Sequence, residues 1–179
     1  YYTQHTGNDL PKVASALVEE YQVYAWEQHG AGLFPAHLYE PSYSKSIFLK
    51  YSAAKVFDEL TARFSVEGHT YENELNLLLR LQPHAIITTN YDSLLEKLFP
   101  TYNVIIGQQV IKKKESTNIG HILKIHGCIT KPEEIVISSE DYDIFHEKQK
   151  YLTAKLLTYF MEHPIIFLGY SISYRNIQG

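Results

Sequence analysis

Polar side chains and glycines follow three short apolar runs of this sequence. Asn90-Tyr91-Asp92 follows the first run, His126-Gly127 the second and Gly169-Tyr170-Ser171 the third. A carboxamide can position water or a hydroxyl group, and an imidazole can take up a proton near neutral pH. Glycines allow a ligand to approach the backbone closely. The three clusters together could therefore bind a polar ligand and move a proton on it.

The runs that precede these clusters are typical of buried strands. Each has three to five residues rich in Ile and Val, and five such runs occur, at 85–89, 103–106, 122–125, 135–137 and 165–168. Helical patterns lie between some of them, at 93–99 and 151–161. This alternation predicts an α/β fold, a Rossmann-like parallel sheet flanked by helices. Ligands bind outside the carboxyl ends of the strands in such sheets, so the three clusters are predicted to face one crevice.

The pattern of the N-terminal third predicts that helices are added to this sheet. Apolar residues fall at helical spacing after Leu10-Pro11, over 46–63 and over 71–81. We therefore divide one domain into a mainly helical part, 1–84, and a part with the strands and the site, 85–179. Gly30-Ala31-Gly32 could cradle a phosphate, but it follows a helical pattern rather than a strand, which favours a helix stop.

Each candidate residue also has a purely structural interpretation. Asp92 or Ser93 could cap the next helix, and Ser93 with Glu96 matches a capping box. For Asp92 alone, capping and ligand contact are equally open. Gly127 and Gly169 could simply supply positive φ. A functional site is favoured because polar or glycine clusters follow three separate predicted strands.

Composition excludes several classes of function. The net charge is −4, which gives no basic surface for nucleic acid, and the single cysteine, Cys128, excludes a disulfide framework or a cysteine-rich zinc cluster within this chain. Cys128 is predicted to be a small buried residue, no metal site is predicted, and a reducing cytoplasm is the expected location. No apolar run approaches the roughly 20 residues that span a bilayer, so no membrane association is predicted. Because the sequence begins at Tyr1, we expect a fragment of a longer protein.

Three segments together resemble a known family. ITTNYDSLLE (87–96), KIHGCI (124–129) and IIFLGYSISYRNI (165–177) are similar to motifs of the sirtuin-like NAD-hydrolysing domains of bacterial anti-phage defence proteins. The resemblance implies that Asn90 and His126 are catalytic and that both contact NAD. It implies further NAD contacts, with Asp92 near the nicotinamide end and Gly169 and Ser171 at the adenosine ribose; the complete set adds Thr89, Tyr91, Gly127 and Tyr170.

The same resemblance implies an activity and partners. The expected activity is an NAD glycohydrolase that cleaves the nicotinamide–ribose bond and depletes cellular NAD during phage infection, with NAD as substrate and no zinc. The family's glycine-rich phosphate loop is expected upstream of Tyr1. A homo-oligomer and an additional regulatory or sensor domain or partner protein are also expected. The alternative is a non-catalytic module that binds NAD or an ADP-ribose-type nucleotide. A protein deacylase ranks last, because the four-cysteine zinc module of deacylating sirtuins cannot form.

Overall fold

A three-stranded parallel sheet forms the centre of the molecule. The computed structural model describes residues 9–107 and 120–169. Strands β1 (Ala85–Thr88), β2 (Asn103–Ile106) and β3 (His121–Lys124) lie in the order β1-β3-β2. Both outer strands pair with β3 in parallel. The predicted Rossmann-like α/β sheet flanked by helices is confirmed.

Helices cover both faces of β3, which explains its unbroken burial. Leu123 packs against apolar side chains of the long helix α5 (Ser139–Glu162) on one face. Ile122 packs on the other face with side chains of α3 (Glu72–Leu81) and α4 (Leu94–Leu98). Adjacent apolar residues such as Ile122 and Leu123 are what a strand with apolar contacts on both faces requires.

The N-terminal helices form as the periodicity predicts. Helix α1 (Leu10–Glu27) begins after Asp9, whose carboxylate accepts a bond from Lys12 N at 3.4 Å, and α2 spans Ile47–Arg63. A short 3₁₀ turn and Gly32, at φ 67°, follow α1, so the Gly-Ala-Gly segment ends a helix. An apolar cluster joins α1, α2 and the segment between them; it comprises Ala25, Phe34, Leu38, Ile47 and Phe48.

Two of the predicted strands are wrong. Residues 135–137 belong to no strand, although Ile135 is extended; a 3₁₀ turn (Pro132–Glu134) precedes them, and Ser138, the N-cap of α5, follows directly. Residues 165–168 pair with no strand among the described residues, and their side chains are 40–68% exposed. Apolar side chains alone do not make a strand, which also needs a neighbouring backbone for its hydrogen bonds.

Helix α5 is twelve residues longer at its start than the predicted 151–161 segment. A capping box at Ser138 and Asp141 begins it, with Asp141 N donating to Ser138 Oγ at 3.2 Å and Ser138 N donating to Asp141 Oδ2 at 2.9 Å. None of the helices in the described residues combines the length and apolar character needed to cross a bilayer.

Candidate functional site

The carboxyl ends of β1 and β3 lie side by side. Thr88 is paired with Lys124, and Ile125 N donates to Thr88 O at 3.0 Å. Asn90 lies two residues beyond Thr88, and His126 lies two residues beyond Lys124. Both predicted residues therefore follow neighbouring strands at the same edge of the sheet. We call residues 89–93 the asparagine loop and residues 125–131 the histidine loop.

Hydrogen bonds join the two loops into one unit. Ile129 N donates to Tyr91 O at 2.9 Å, and the Tyr91 hydroxyl donates to Val136 O at 2.6 Å. Val136 N in turn donates to His126 O at 3.0 Å. The Tyr91 ring packs in the interior beside a cluster that contains Cys128, which is buried as predicted. Burial raises the pKa of the Tyr91 hydroxyl, and the neighbouring Tyr142 and Asp141 raise it further.

The asparagine loop presents the side chain of Asn90 to solvent. Asn90 is exposed and Thr89 is half-buried, while Asn90 N donates to Thr88 Oγ1 at 3.0 Å. Asp92 Oδ1 accepts a bond from Leu94 N at 3.0 Å, so Asp92 supports the start of α4. This hydrogen bond supports the structural interpretation of Asp92. Contact between Asp92 and a ligand stays a prediction.

The capping box that Ser93 and Glu96 match in sequence does not form. The Ser93 side chain makes no capping hydrogen bond. Glu96 binds elsewhere, because its Oε1 accepts a bond from Lys124 Nζ at 2.8 Å. The buried ammonium is a stronger partner for the carboxylate than a backbone N–H group.

His126 is buried beneath α5. Its side chain is 2% exposed, and its ring makes edge-on contacts with Tyr142 at 5.3 Å and Phe145 at 4.8 Å between ring centroids. Burial, aided by the charge of His146, lowers the pKa of His126 from 6.5 to about 4. The sequence led us to expect a pKa near neutrality, and desolvation accounts for the difference. His126 Nε2 is buried and has no hydrogen-bond partner among the described residues.

Both predicted glycines that the structure describes adopt positive φ. Gly127 has φ 93°, and a Cβ atom there would lie 2.5 Å from Glu134 O. Gly169 has φ 63°, and a Cβ atom there would meet nothing within 4 Å. Position 127 thus requires glycine for two reasons, its positive φ and the close approach of the backbone at Glu134. Tyr170 and Ser171 lie outside the described residues, so their contacts stay predictions.

The sequence did not predict a buried lysine at this edge. Lys124 is 1% exposed, and besides Glu96 its Nζ donates to Tyr91 O at 3.3 Å and to Asp92 O. Glu96 Oε2 is buried without a hydrogen-bond partner among the described residues. The signal available in the sequence was a single charge inside the apolar run ILKI (122–125).

A second buried lysine holds the start of α5. Lys50 on α2 is 3% exposed, and its Nζ lies 2.5 Å from Asp141 Oδ1. Asp141 Oδ2 accepts bonds from Ser138 N and Ser138 Oγ at 2.9 and 2.8 Å. This pair fixes the first turn of α5, which carries Tyr142 onto the His126 ring.

Neither of two cavities on the described surface is lined by Asn90 or His126. One of about 550 Å³ lies at the amino ends of the strands and is lined by residues including His84, Tyr102 and Gly120. Another of about 280 Å³ lies between α2 and residues 129–132. Among the described residues, no group of three or more His, Cys, Asp or Glu side chains is arranged to hold a metal ion.

Fold and site together define an α/β protein with polar loops at the carboxyl edge of a parallel sheet. The family model described as "SIR2-like domain" matches residues 84–179. The match covers more than half of the chain and both loops, and the chain belongs to the SIR2-like family.

Curated relatives are similar at low identity. "NAD(+) hydrolase ThsA" of Cytobacillus dafuensis is 27% identical over 73% of this chain, and the protein of the same name from Bacillus cereus (strain MSX-D12) is 29% identical over 64%. "Defense-associated sirtuin 2" of Bacillus subtilis is 28% identical over 56%. The matched parts are 27%, 25% and 10% of the relatives' own lengths, so the chain spans about a quarter or less of each.

Proposed function

We propose that this protein is an NAD glycohydrolase that cleaves the nicotinamide–ribose bond and depletes NAD as an anti-phage defence effector. The observation that carries the proposal is the joining of the Asn90 and His126 loops at one carboxyl edge, with Thr88 paired to Lys124. The names of two relatives, NAD(+) hydrolase, support the choice of substrate, and the defence-associated relative supports the setting.

The proposed chemistry uses one amide and one imidazole. The bond between nicotinamide and ribose C1′ breaks, nicotinamide leaves with the bonding electrons, and an oxocarbenium-like ribose develops. The positive charge on the nicotinamide ring activates this leaving group. The exposed Asn90 carboxamide orients water or a ribose hydroxyl, and His126 takes the proton of the attacking water. The products are nicotinamide, ADP-ribose and a proton.

Burial of His126 restricts when this base can act. The imidazole is neutral at pH 7, so it can accept a proton, but its lowered pKa makes it a weak base. Displacement of the Tyr142 and Phe145 rings would expose Nε2 and admit water. Water would also remove the desolvation that lowers the pKa, so the base would strengthen as the site opens. A closed resting state suits an enzyme whose unregulated activity would kill its host.

Nicotinamide release from NAD by the full-length protein tests the proposal. We expect Asn90→Ala and His126→Ala to lower kcat by about 100-fold or more, as loss of positioning and of general base catalysis does. His121→Ala is the matched control, because His121 is also 2% exposed and has a buried nitrogen with no partner among the described residues, yet lies at the amino end of β3. Asn73→Ala, on the exposed surface of α3, controls for Asn90. Wild-type rates in both site variants would refute the catalytic assignment.

A second candidate is a nucleotide sensor that binds NAD or an ADP-ribose-type ligand without turnover. The observation that favours it is the closed position of His126 beneath α5. Tight nucleotide binding with no nicotinamide release under any activating condition would establish this candidate over the enzyme.

The setting of the proposed enzyme follows from the resemblance. We propose action in the cytoplasm, where NAD is available, and a homo-oligomer with a regulatory or sensor domain or partner protein. Size-exclusion chromatography with light scattering on the full-length protein, with and without NAD, would measure the oligomeric part of this proposal.

A further inference from the structure

A buried charge lies directly beneath the asparagine loop. Lys124 ends β3, and its side chain leaves the sheet on the face that also carries Ile122. The ammonium group reaches three oxygens, on Glu96 of α4 and on the backbone of Tyr91 and Asp92. These oxygens match the three N–H donors of a lysine ammonium group. One side chain therefore joins the central strand, the asparagine loop and α4.

An ion pair in this position is a costly way to gain stability alone. Burial of charged groups is costly, and apolar residues of similar volume often replace such pairs without loss of stability. Helix α4 already has apolar anchors in Leu94, Leu95 and Leu98, which pack in the cluster around Ile122. In the asparagine loop, Ile129 N already holds the Tyr91 carbonyl at 2.9 Å, and Lys124 adds a bond to the carbonyl of Asp92.

We propose that Lys124 is a positioning residue for the proposed NAD cleavage, with Glu96 as its counter-ion. The ammonium holds the carbonyls of Tyr91 and Asp92 and so fixes the backbone that carries Asn90, in the loop that is bonded to the histidine loop. Lys124 acts through the loop rather than on substrate. This inference rests on the proposed function, because it assigns how the asparagine of that site is oriented.

We expect substitution of Lys124 to affect turnover rather than substrate binding. An amide displaced by about 1 Å from its productive position can cost about 100-fold in rate. We therefore expect Lys124→Met to lower kcat for nicotinamide release about 10- to 100-fold, with KM within about threefold of wild type. Lys97→Met is the matched control, because Lys97 on α4 also donates to two backbone carbonyls, those of Thr61 and Ala62 at the end of α2. Its kcat and KM should stay at wild-type values.

A double variant separates positioning from folding. Lys124→Met leaves Glu96 without its cation and could unfold the protein, whereas Lys124→Met with Glu96→Leu removes both charges. We expect the double variant to unfold at the wild-type temperature and still lose kcat 10- to 100-fold, by the same displacement of Asn90. A merely structural ion pair predicts the opposite, recovery of kcat together with stability.

The outcomes of this experiment on the full-length protein are distinct. A folded double variant with kcat within about threefold of wild type overturns the positioning role while the proposed function stands. A loss in Lys97→Met equal to that in Lys124→Met also overturns it. Wild-type protein that releases no nicotinamide under any activating condition overturns the proposed function itself.

Discussion

The burial of His126 predicts a specific dependence of stability on pH. The folded protein holds the pKa of His126 at about 4, whereas the ordinary value, which applies to the unfolded chain, is 6.5. The unfolded chain therefore binds more protons than the folded protein between these values, and stability rises with pH there. The contribution is fully present above pH 6.5 and is lost as the pH falls toward 4.

The size of this effect follows from the two pKa values. Between pH 7 and pH 5 the free energy of unfolding should fall by about 2 kcal/mol through His126 alone. Urea denaturation of wild type and His126→Gln at both pH values measures it, because other groups contribute equally to both proteins. The difference in unfolding free energy between the two proteins should shrink by about 2 kcal/mol at the lower pH. A difference that stays constant from pH 7 to pH 5 would refute the burial argument.

Two matched pairs of variants test the backbone account of the site. Gly127→Ala should lower the free energy of unfolding by about 3 kcal/mol, from positive φ and contact with Glu134 O, whereas Gly68→Ala, with φ 74° and open space, should lower it by about 1 kcal/mol. Equal losses in thermal denaturation would show that the contact at Glu134 costs nothing. Ser138→Ala should cost about 1 kcal/mol through loss of the capping box of α5, whereas Ser93→Ala, which removes no capping bond, should stay within about 0.5 kcal/mol of wild type. A larger loss in Ser93→Ala than in Ser138→Ala would contradict the observed caps.

Elements with local signals were predicted well from the sequence. Helix α2 was expected at 46–63 and spans Ile47–Arg63, because its apolar periodicity is sustained over several turns. Strand β3 was expected at 122–125 and spans His121–Lys124, because its central Ile122 and Leu123 pack on opposite faces of the sheet. The start of α5 was missed because residues 139–150 are mostly polar and their helical signal lies in the Ser138–Asp141 capping box.

Features that depend on distant partners could not be predicted. The apolar run at 165–168 has strand composition, but pairing is a property of the neighbouring backbone and not of the run. Glu96 fits a local capping box in sequence, yet its partner is Lys124, 28 residues away. The burial of His126 likewise depends on Tyr142 and Phe145 of α5, which no local pattern links to the histidine.

Ligand binding at the proposed site requires a change in its conformation. Asn90 is already at the surface, whereas His126 lies beneath α5, so the amide is available before the imidazole. A ligand that requires both groups must also displace contacts of α5. Binding and opening of the site are therefore coupled in the proposed enzyme.

NMR spectroscopy of the full-length protein tests most directly whether Asn90 and His126 belong to one NAD site. The protein would carry labels on asparagine side-chain amides and histidine rings, and would be titrated with an NAD analogue whose ribose ring oxygen is replaced by carbon to prevent cleavage. If both groups serve one site, the resonances of the Asn90 amide and the His126 ring shift together along one binding curve. Shifts at His84, which lines the cavity at the opposite edge of the sheet, with Asn90 and His126 unchanged, would contradict it.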